Sequence, residues 1–174
     1  TLNDEEIRGY DPRFKMAPPL RAEEDRMAML EALKDGTIAC IATDHAPHAT
    51  VDKEVEFELA SFGIVGLETA WGLTYRLVKD GSLDLMTAVR LLTSGPAECF
   101  GLDLGTLGAG RPADLVLVDP DATQRFDVRG SFSKGANTPF GGWELPGRVE
   151  RTIFGGRTVY LWDGEQGILG PVEA

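Results

Sequence analysis

Asp44, His45 and His48 are the residues of this chain best suited to do chemistry, and they fall within one hexapeptide, Thr43-Asp44-His45-Ala46-Pro47-His48. A carboxylate next to imidazoles can ligate a divalent metal or move a proton near neutral pH. Both histidines of the 174-residue chain lie here, so no other stretch gathers comparable groups. An Asp-His pair also fits a plain turn, in which the aspartate accepts from a backbone amide and the histidine stays half exposed. The clustering of both histidines beside one aspartate favours a site over a turn.

Groups of this kind need a rigid element to deliver them. Thr37–Thr43, TIACIAT, is a short apolar run rich in β-formers and predicts a buried strand. Pro47 cannot continue a ladder and holds the residue before it extended, so the chain leaves the sheet with Asp44 and His48 near the strand end. Barrels and open α/β sheets build their sites just past the C-terminal ends of strands.

The flanking sequence supplies further elements. Residues 1–11 are polar connection, and Arg13–Ala17 predicts a brief strand stopped by Pro18 and Pro19. Residues 22–35 predict a helix, acidic at Glu23, Glu24 and Asp25, apolar at Met27, Leu30 and Leu33, and stopped by Gly36. A charged loop follows His48 as far as Glu58, and then a turn through Ser61-Phe62-Gly63, where glycine permits close backbone approach. Two more helical patterns run from Leu67 to Val78 and from Leu85 to Leu92, the second ending before Gly95-Pro96. From about Leu102 the texture becomes glycine-rich, with short β segments at Leu115–Val118, Arg148–Phe154 and Thr158–Trp162, the last two at hairpin spacing around Gly155-Gly156. Residue types in Ser133–Phe140 demand no chemistry, and the segment reads as a surface loop.

Taken together, the Asp-His-Ala-Pro-His run, Lys15-Met16-Ala17-Pro18-Pro19-Leu20-Arg21 before it and Gly63-Ile64-Val65-Gly66-Leu67-Glu68-Thr69 after it resemble the C-terminal half of a longer-type bacterial dihydroorotase of the amidohydrolase superfamily. Gly110–Asp119 resembles the return of such chains into a small β-domain, and Ser133–Phe140 has the same family look. Allantoinases and dihydropyrimidinases share the Asp-His but usually lack a histidine at the place of His48, which favours dihydroorotase.

The resemblance implies an α/β fold: residues 1–101 as the C-terminal portion of a metal-dependent hydrolase (β/α)8 TIM-type barrel, and residues 102–174 as the C-terminal part of a small β-sandwich domain. It implies reversible hydrolysis of the cyclic amide of dihydroorotate to N-carbamoyl-L-aspartate, in pyrimidine synthesis. An amide carbonyl is a poor electrophile, and zinc can polarise it and bring the pKa of bound water to about 7. Two zinc ions are implied per complete site, with Asp44 as the single ligand supplied here and as the general acid/base. His48 is implied as the substrate-carboxylate ligand and Phe62 and Gly63 as backbone contacts; His45, the next residue along the expected strand, directs its side chain away from Asp44 and reads as structural or as a support to a metal ligand. The other ligands lie in an N-terminal half, which becomes the expected partner, with a homodimer or aspartate carbamoyltransferase as further candidates. Ala17 stands where the family usually has a substrate-binding asparagine, a departure that bears on affinity. It also keeps open a catalytically silent relative that acts as a structural partner of aspartate carbamoyltransferase.

Composition narrows the partners. Seventeen basic against twenty-eight acidic residues give a net charge of −11, which repels polyanions and argues against nucleic acid. No stretch reaches the roughly 18 to 20 apolar residues of a membrane span, and no signal peptide is visible. Cys40 and Cys99 form no disulfide framework, so a reducing, cytoplasmic setting is expected. The chain begins at Thr1 without a methionine and reads as a piece of something longer.

Overall fold

A computed structural model describes residues 1–170. The chain forms a helical layer that packs through one helix onto a four-stranded antiparallel sheet.

The first helix, α1 (Glu23–Lys34), carries its acidic residues in the first turn, where the helix dipole favours them, and is followed by Gly36 at φ +83°. Leu30 of α1 is buried with Leu83 and Leu91, and Leu33, Ile41, Leu77 and Val78 pack around them. This apolar cluster brings together α1, α3 (Ala70–Lys79), α4 (Leu85–Leu92) and the segment before Asp44. Asp84 caps α4 by accepting from the Thr87 amide at 2.9 Å. Gly95-Pro96 does not end helical structure as the sequence pattern suggests. It lies inside α5 (Ser94–Cys99), and a Cβ at Gly95 would stand 2.2 Å from the Ala39 carbonyl oxygen, so α5 rests directly on the segment leading to Asp44.

Two strand expectations fail for the same reason. Thr37–Thr43 is only half-buried and has no ladder, its backbone bonds being Ile38 N–H to Ala32 and Ile41 N–H to Leu91. Arg13–Ala17 is not a strand; Pro12–Phe14 is instead a 3-10 turn capped by Asp11. A parallel strand exists only through bonds to its neighbours, and no strand flanks either segment among the described residues.

The sheet consists of β1 (Leu115–Arg125), β2 (Glu144–Phe154), β3 (Arg157–Trp162) and β4 (Gly167–Leu169), paired in sequence order. β1 is longer than the Leu115–Val118 expected, because Asp119-Pro120-Asp121 is a bulge within it and not its end: Asp119 Oδ1 accepts from the amides of Asp121 and Ala122, and pairing resumes at Thr123. The β2–β3 hairpin turns through Gly155 and Gly156, both at positive φ, as a two-residue turn of this hand requires.

Helix and sheet are joined by α3. Trp71 Nε1–H donates to the Gly147 carbonyl at 2.6 Å, and Trp71 stacks on Tyr75 at 5.0 Å. Gly147, at φ +77°, has no room for a side chain: its Cβ would lie 2.4 Å from the Tyr75 ring.

Candidate active site

Asp44 sits where the chain leaves the half-buried 37–43 segment, and its backbone is left-handed at φ +45°. That conformation is uncommon for a residue with a Cβ, and aspartate tolerates it better than most. Its side chain is exposed and has no hydrogen bond or ion pair among the described residues, so both carboxylate oxygens are free to take a ligand or a proton.

The next residue is used differently. His45 Nδ1 accepts from the amides of Gly66 and Leu67 at 3.1 and 3.3 Å, which leaves the ring proton on Nε2. His45 thereby ties the site loop to the start of the segment that leads into α3.

His48 is turned toward the Ser61-Phe62-Gly63 turn. Its Nε2 lies 2.8 Å from the Phe62 carbonyl oxygen, and a carbonyl only accepts, so Nε2 carries a proton and Nδ1 is the nitrogen left for a ligand. Gly63, at φ +115°, is close beneath: a Cβ there would be 2.5 Å from the Ala46 Cβ and 3.4 Å from His48 Nε2. His48, Phe62 and Gly63 therefore form one cluster, and no hydrogen bond links Asp44 to it.

Gly63 differs in one respect from its expected role as a backbone contact. Its N–H already donates to Lys15 O at 3.0 Å, and its carbonyl accepts from both Lys53 Nζ and Asn137 Nδ2 at 3.1 Å. The donor without a partner in this turn, among the described residues, is the Phe62 N–H, while the exposed Phe62 ring has its centroid 4.5 Å from Lys15 Nζ.

Residue types did not single out Lys53 or Asn137. Lys53, in the short helix α2 (Thr50–Lys53), looks in sequence like part of a solvated charged run. Instead it is buried, and its ammonium donates to the carbonyls of Lys15, Ser61 and Gly63. Desolvation, with the nearby Lys15 ammonium, lowers the Lys53 pKa, and Asp11 opposes the shift. The surface loop expected at Ser133–Phe140 is in fact largely interior: Gly135 and residues 137–140 are buried. Gly135 leaves no space for a side chain because Pro47 Cα would be 2.8 Å from its Cβ. At the loop's entrance, Glu68 accepts from Ser131 Oγ at 2.5 Å and from the amides of Phe132 and Ser133 at 3.0 and 2.9 Å. Partial burial pushes the Glu68 carboxyl up, but these donors outweigh it and hold it below its ordinary value.

No group of three His, Cys, Asp or Glu able to hold a metal ion is assembled among the described residues. Asp44 fits a metal as one free carboxylate ligand and no more.

The sequence profile described as "Amidohydrolase family" matches residues 14–159. The chain belongs to the amidohydrolase family. Among curated proteins, this amidohydrolase chain is 51% identical to a dihydroorotase of Syntrophotalea carbinolica over 160 residues, 92% of this chain and 38% of that protein. A dihydroorotase of Geobacter metallireducens is 49% identical with the same coverage. The chain thus spans well under half the length of these relatives. Among solved structures, the L-hydantoinase (dihydropyrimidinase) of Arthrobacter aurescens superposes with a TM-score of 0.87 at 30% identity, over 97% of this chain and 38% of that one. The D-hydantoinase (dihydropyrimidinase) of a Thermus species gives 0.81 at 29%, over 92% and 36%. Amidohydrolase membership and these neighbours place the chain in an α/β, TIM-barrel-type architecture.

Proposed function

We propose that this chain contributes the Asp44–His48 edge of the active site in a dihydroorotase, a cyclic amide hydrolase that interconverts dihydroorotate and N-carbamoyl-L-aspartate. The observation that carries the reading is His48, oriented by the Phe62 carbonyl so that Nδ1 is left for a ligand. A substrate bearing a ring carboxylate suits that arrangement. The imidazole donates through Nε2 to the protein and, when doubly protonated, through Nδ1 to the carboxylate, a charge-assisted bond that fixes the ring. The Phe62 N–H, without a partner among the described residues, is the adjacent backbone donor, so that of the two expected backbone contacts Phe62 is the one with a donor to offer.

Asp44 is the proton carrier. Its free carboxylate takes a proton from the attacking water and returns it to the departing amide nitrogen, with the left-handed backbone turning the side chain out of the 37–43 segment. Zinc, for which Asp44 offers one oxygen ligand, would supply Lewis acidity toward the amide carbonyl when bound. The remaining ligands and the strands that would flank residues 37–43 belong, in this reading, to the portion of the curated relatives that the chain does not span. A reducing, cytoplasmic setting belongs to the same reading, since two cysteines supply no disulfide framework.

The test is hydrolysis by the complete protein that carries this chain, followed by ultraviolet absorbance with dihydroorotate and with dihydrouracil, which has the ring but no carboxylate. Turnover of dihydroorotate, lost on chelation and restored by zinc, is the expected result. Turnover of dihydrouracil alone would reassign the chain to a dihydropyrimidinase. Absence of both, with zinc present, would replace the enzyme with a silent relative.

A further inference from the structure

We infer that Asn137, acting with Lys53, is a positioning residue that sets the orientation of the His48 ring and of the Phe62–Gly63 turn. The inference rests on the reading of His48 as the substrate-carboxylate ligand.

Asn137 is 5% exposed, and its side-chain amide joins two loops that are far from it in sequence. Oδ1 accepts from the His48 amide at 2.9 Å, while Nδ2 donates to the Ala46 carbonyl at 2.8 Å and to the Gly63 carbonyl at 3.1 Å. The Asn137 carbonyl also accepts from the Val65 amide at 3.0 Å. It therefore holds the backbone on both sides of Pro47. Lys53, also 5% exposed, approaches the turn through Lys15 O, Ser61 O and Gly63 O at 3.2, 2.8 and 3.1 Å.

The Gly63 carbonyl receives one donor from each, and the preceding carbonyl, Phe62 O, anchors His48 Nε2. The backbone that carries the imidazole thus leads to Asn137, and its ring anchor leads, through the adjoining Gly63 carbonyl, to Asn137 and Lys53 together. A primary amide is required at residue 137 because it alone presents one acceptor and two donors in one plane. Aspartate would keep the acceptor for His48 but set a carboxylate against two carbonyl oxygens. A buried ammonium bonded only to carbonyls is costly where packing alone is at stake, since an apolar side chain would fill the space at less expense.

The experiment uses the complete protein with Asn137→Ala, Asn137→Asp, Lys53→Met and His48→Ala, reading KM and kcat for dihydroorotate and the ring 15N resonances of His48. Expected are a KM raised about tenfold, kcat within about threefold, and a His48 Nε2–H signal that shifts or broadens in Asn137→Ala and Lys53→Met while the His45 signal stays. Adding Asn137→Ala to His48→Ala should raise KM no further, because both remove the same interaction. A lowered melting temperature with unchanged KM and unchanged His48 resonances would overturn the inference, leaving Asn137 as a packing residue. An unchanged KM in His48→Ala would overturn the substrate reading instead, and the His48 resonances would still decide whether Asn137 and Lys53 position the ring. If Asn137→Ala fails to fold, Lys53→Met carries the same two readouts.

Discussion

Asp44 combines a free carboxylate with a left-handed backbone at φ +45°, and the two properties can be separated by substitution. Glycine adopts that conformation without strain, so Asp44→Gly is predicted to keep or raise the melting temperature of the complete protein measured free of metal, while removing turnover with zinc added. Asp44→Asn keeps the shape and loses the charge, and is predicted to lower kcat by more than the roughly 10²–10⁴ of acid/base loss alone, because ligation suffers as well. Near-normal kcat in either variant would remove Asp44 from the mechanism. The two histidines should also part company. His45→Ala leaves the Gly66 and Leu67 amides without their acceptor and is predicted to cost about 1 kcal/mol of stability, measured by denaturant unfolding, with KM unchanged. His48→Ala is predicted to raise KM; equal effects of the two on substrate binding would dissolve the distinction.

The elements are held at fixed distances by glycines and by one carboxylate. Gly147→Ala would force a Cβ to within 2.4 Å of the Tyr75 ring at a backbone of φ +77°, so overpacking and strain act together where α3 meets β2. A loss of about 2 kcal/mol or more is predicted in denaturant unfolding, against little change for Gly81→Ala beyond its backbone strain, since nothing surrounds that position. A loss no larger at Gly147 than at Gly81 would mean that the helix–sheet contact is slack. Glu68 anchors the start of the loop that carries Asn137, and its carboxyl is held below the ordinary 4.5. A depressed carboxylate stabilises the fold above its unfolded pKa and loses that contribution as pH falls through the lower folded value. Glu68→Gln should therefore lower the melting temperature at neutral pH, with the gap to the parent closing as pH falls below about 4.5. A gap independent of pH would assign the effect to shape and not charge.

At the scale of the molecule, large apolar side chains face solvent: Val51 and Phe100 are each 76% exposed and Leu107 81%. The 37–43 segment also lacks ladder partners among the described residues. Surfaces of this kind attract dyes and copies of themselves. The isolated 174-residue chain is predicted to bind a hydrophobic dye and to self-associate in size-exclusion chromatography, despite a net charge of −11 that opposes association. A monodisperse, dye-silent monomer would show that these faces need no cover. In the complete protein, both signals should fall.

Local chemistry is written in order along the chain, and that part was legible without coordinates. The acidic opening of α1 and the glycine after it, the diglycine hairpin between β2 and β3, and the Asp-His-Ala-Pro-His run each depend on residues a few positions apart. The amidohydrolase resemblance was legible on the same terms, and the family match over residues 14–159 agrees with it. Elements whose existence depends on a neighbour were not: Arg13–Ala17 and Thr37–Thr43 read as strands, yet a ladder is a property of two segments, and no strand flanks them here. The β segment read at Leu115–Val118 continues through a bulge at Asp119-Pro120-Asp121 only because Thr123–Arg125 finds β2 again. Tertiary structure alone decided the fate of Lys53 and Asn137. One sits in a charged run and the other in an apparent surface loop, and only the fold brings both to the Gly63 carbonyl, 10 and 74 residues away in sequence. Hydrogen bonds between distant residues leave no periodicity or spacing in the chain, so what a buried polar side chain holds can be read only once the loops it joins are in place.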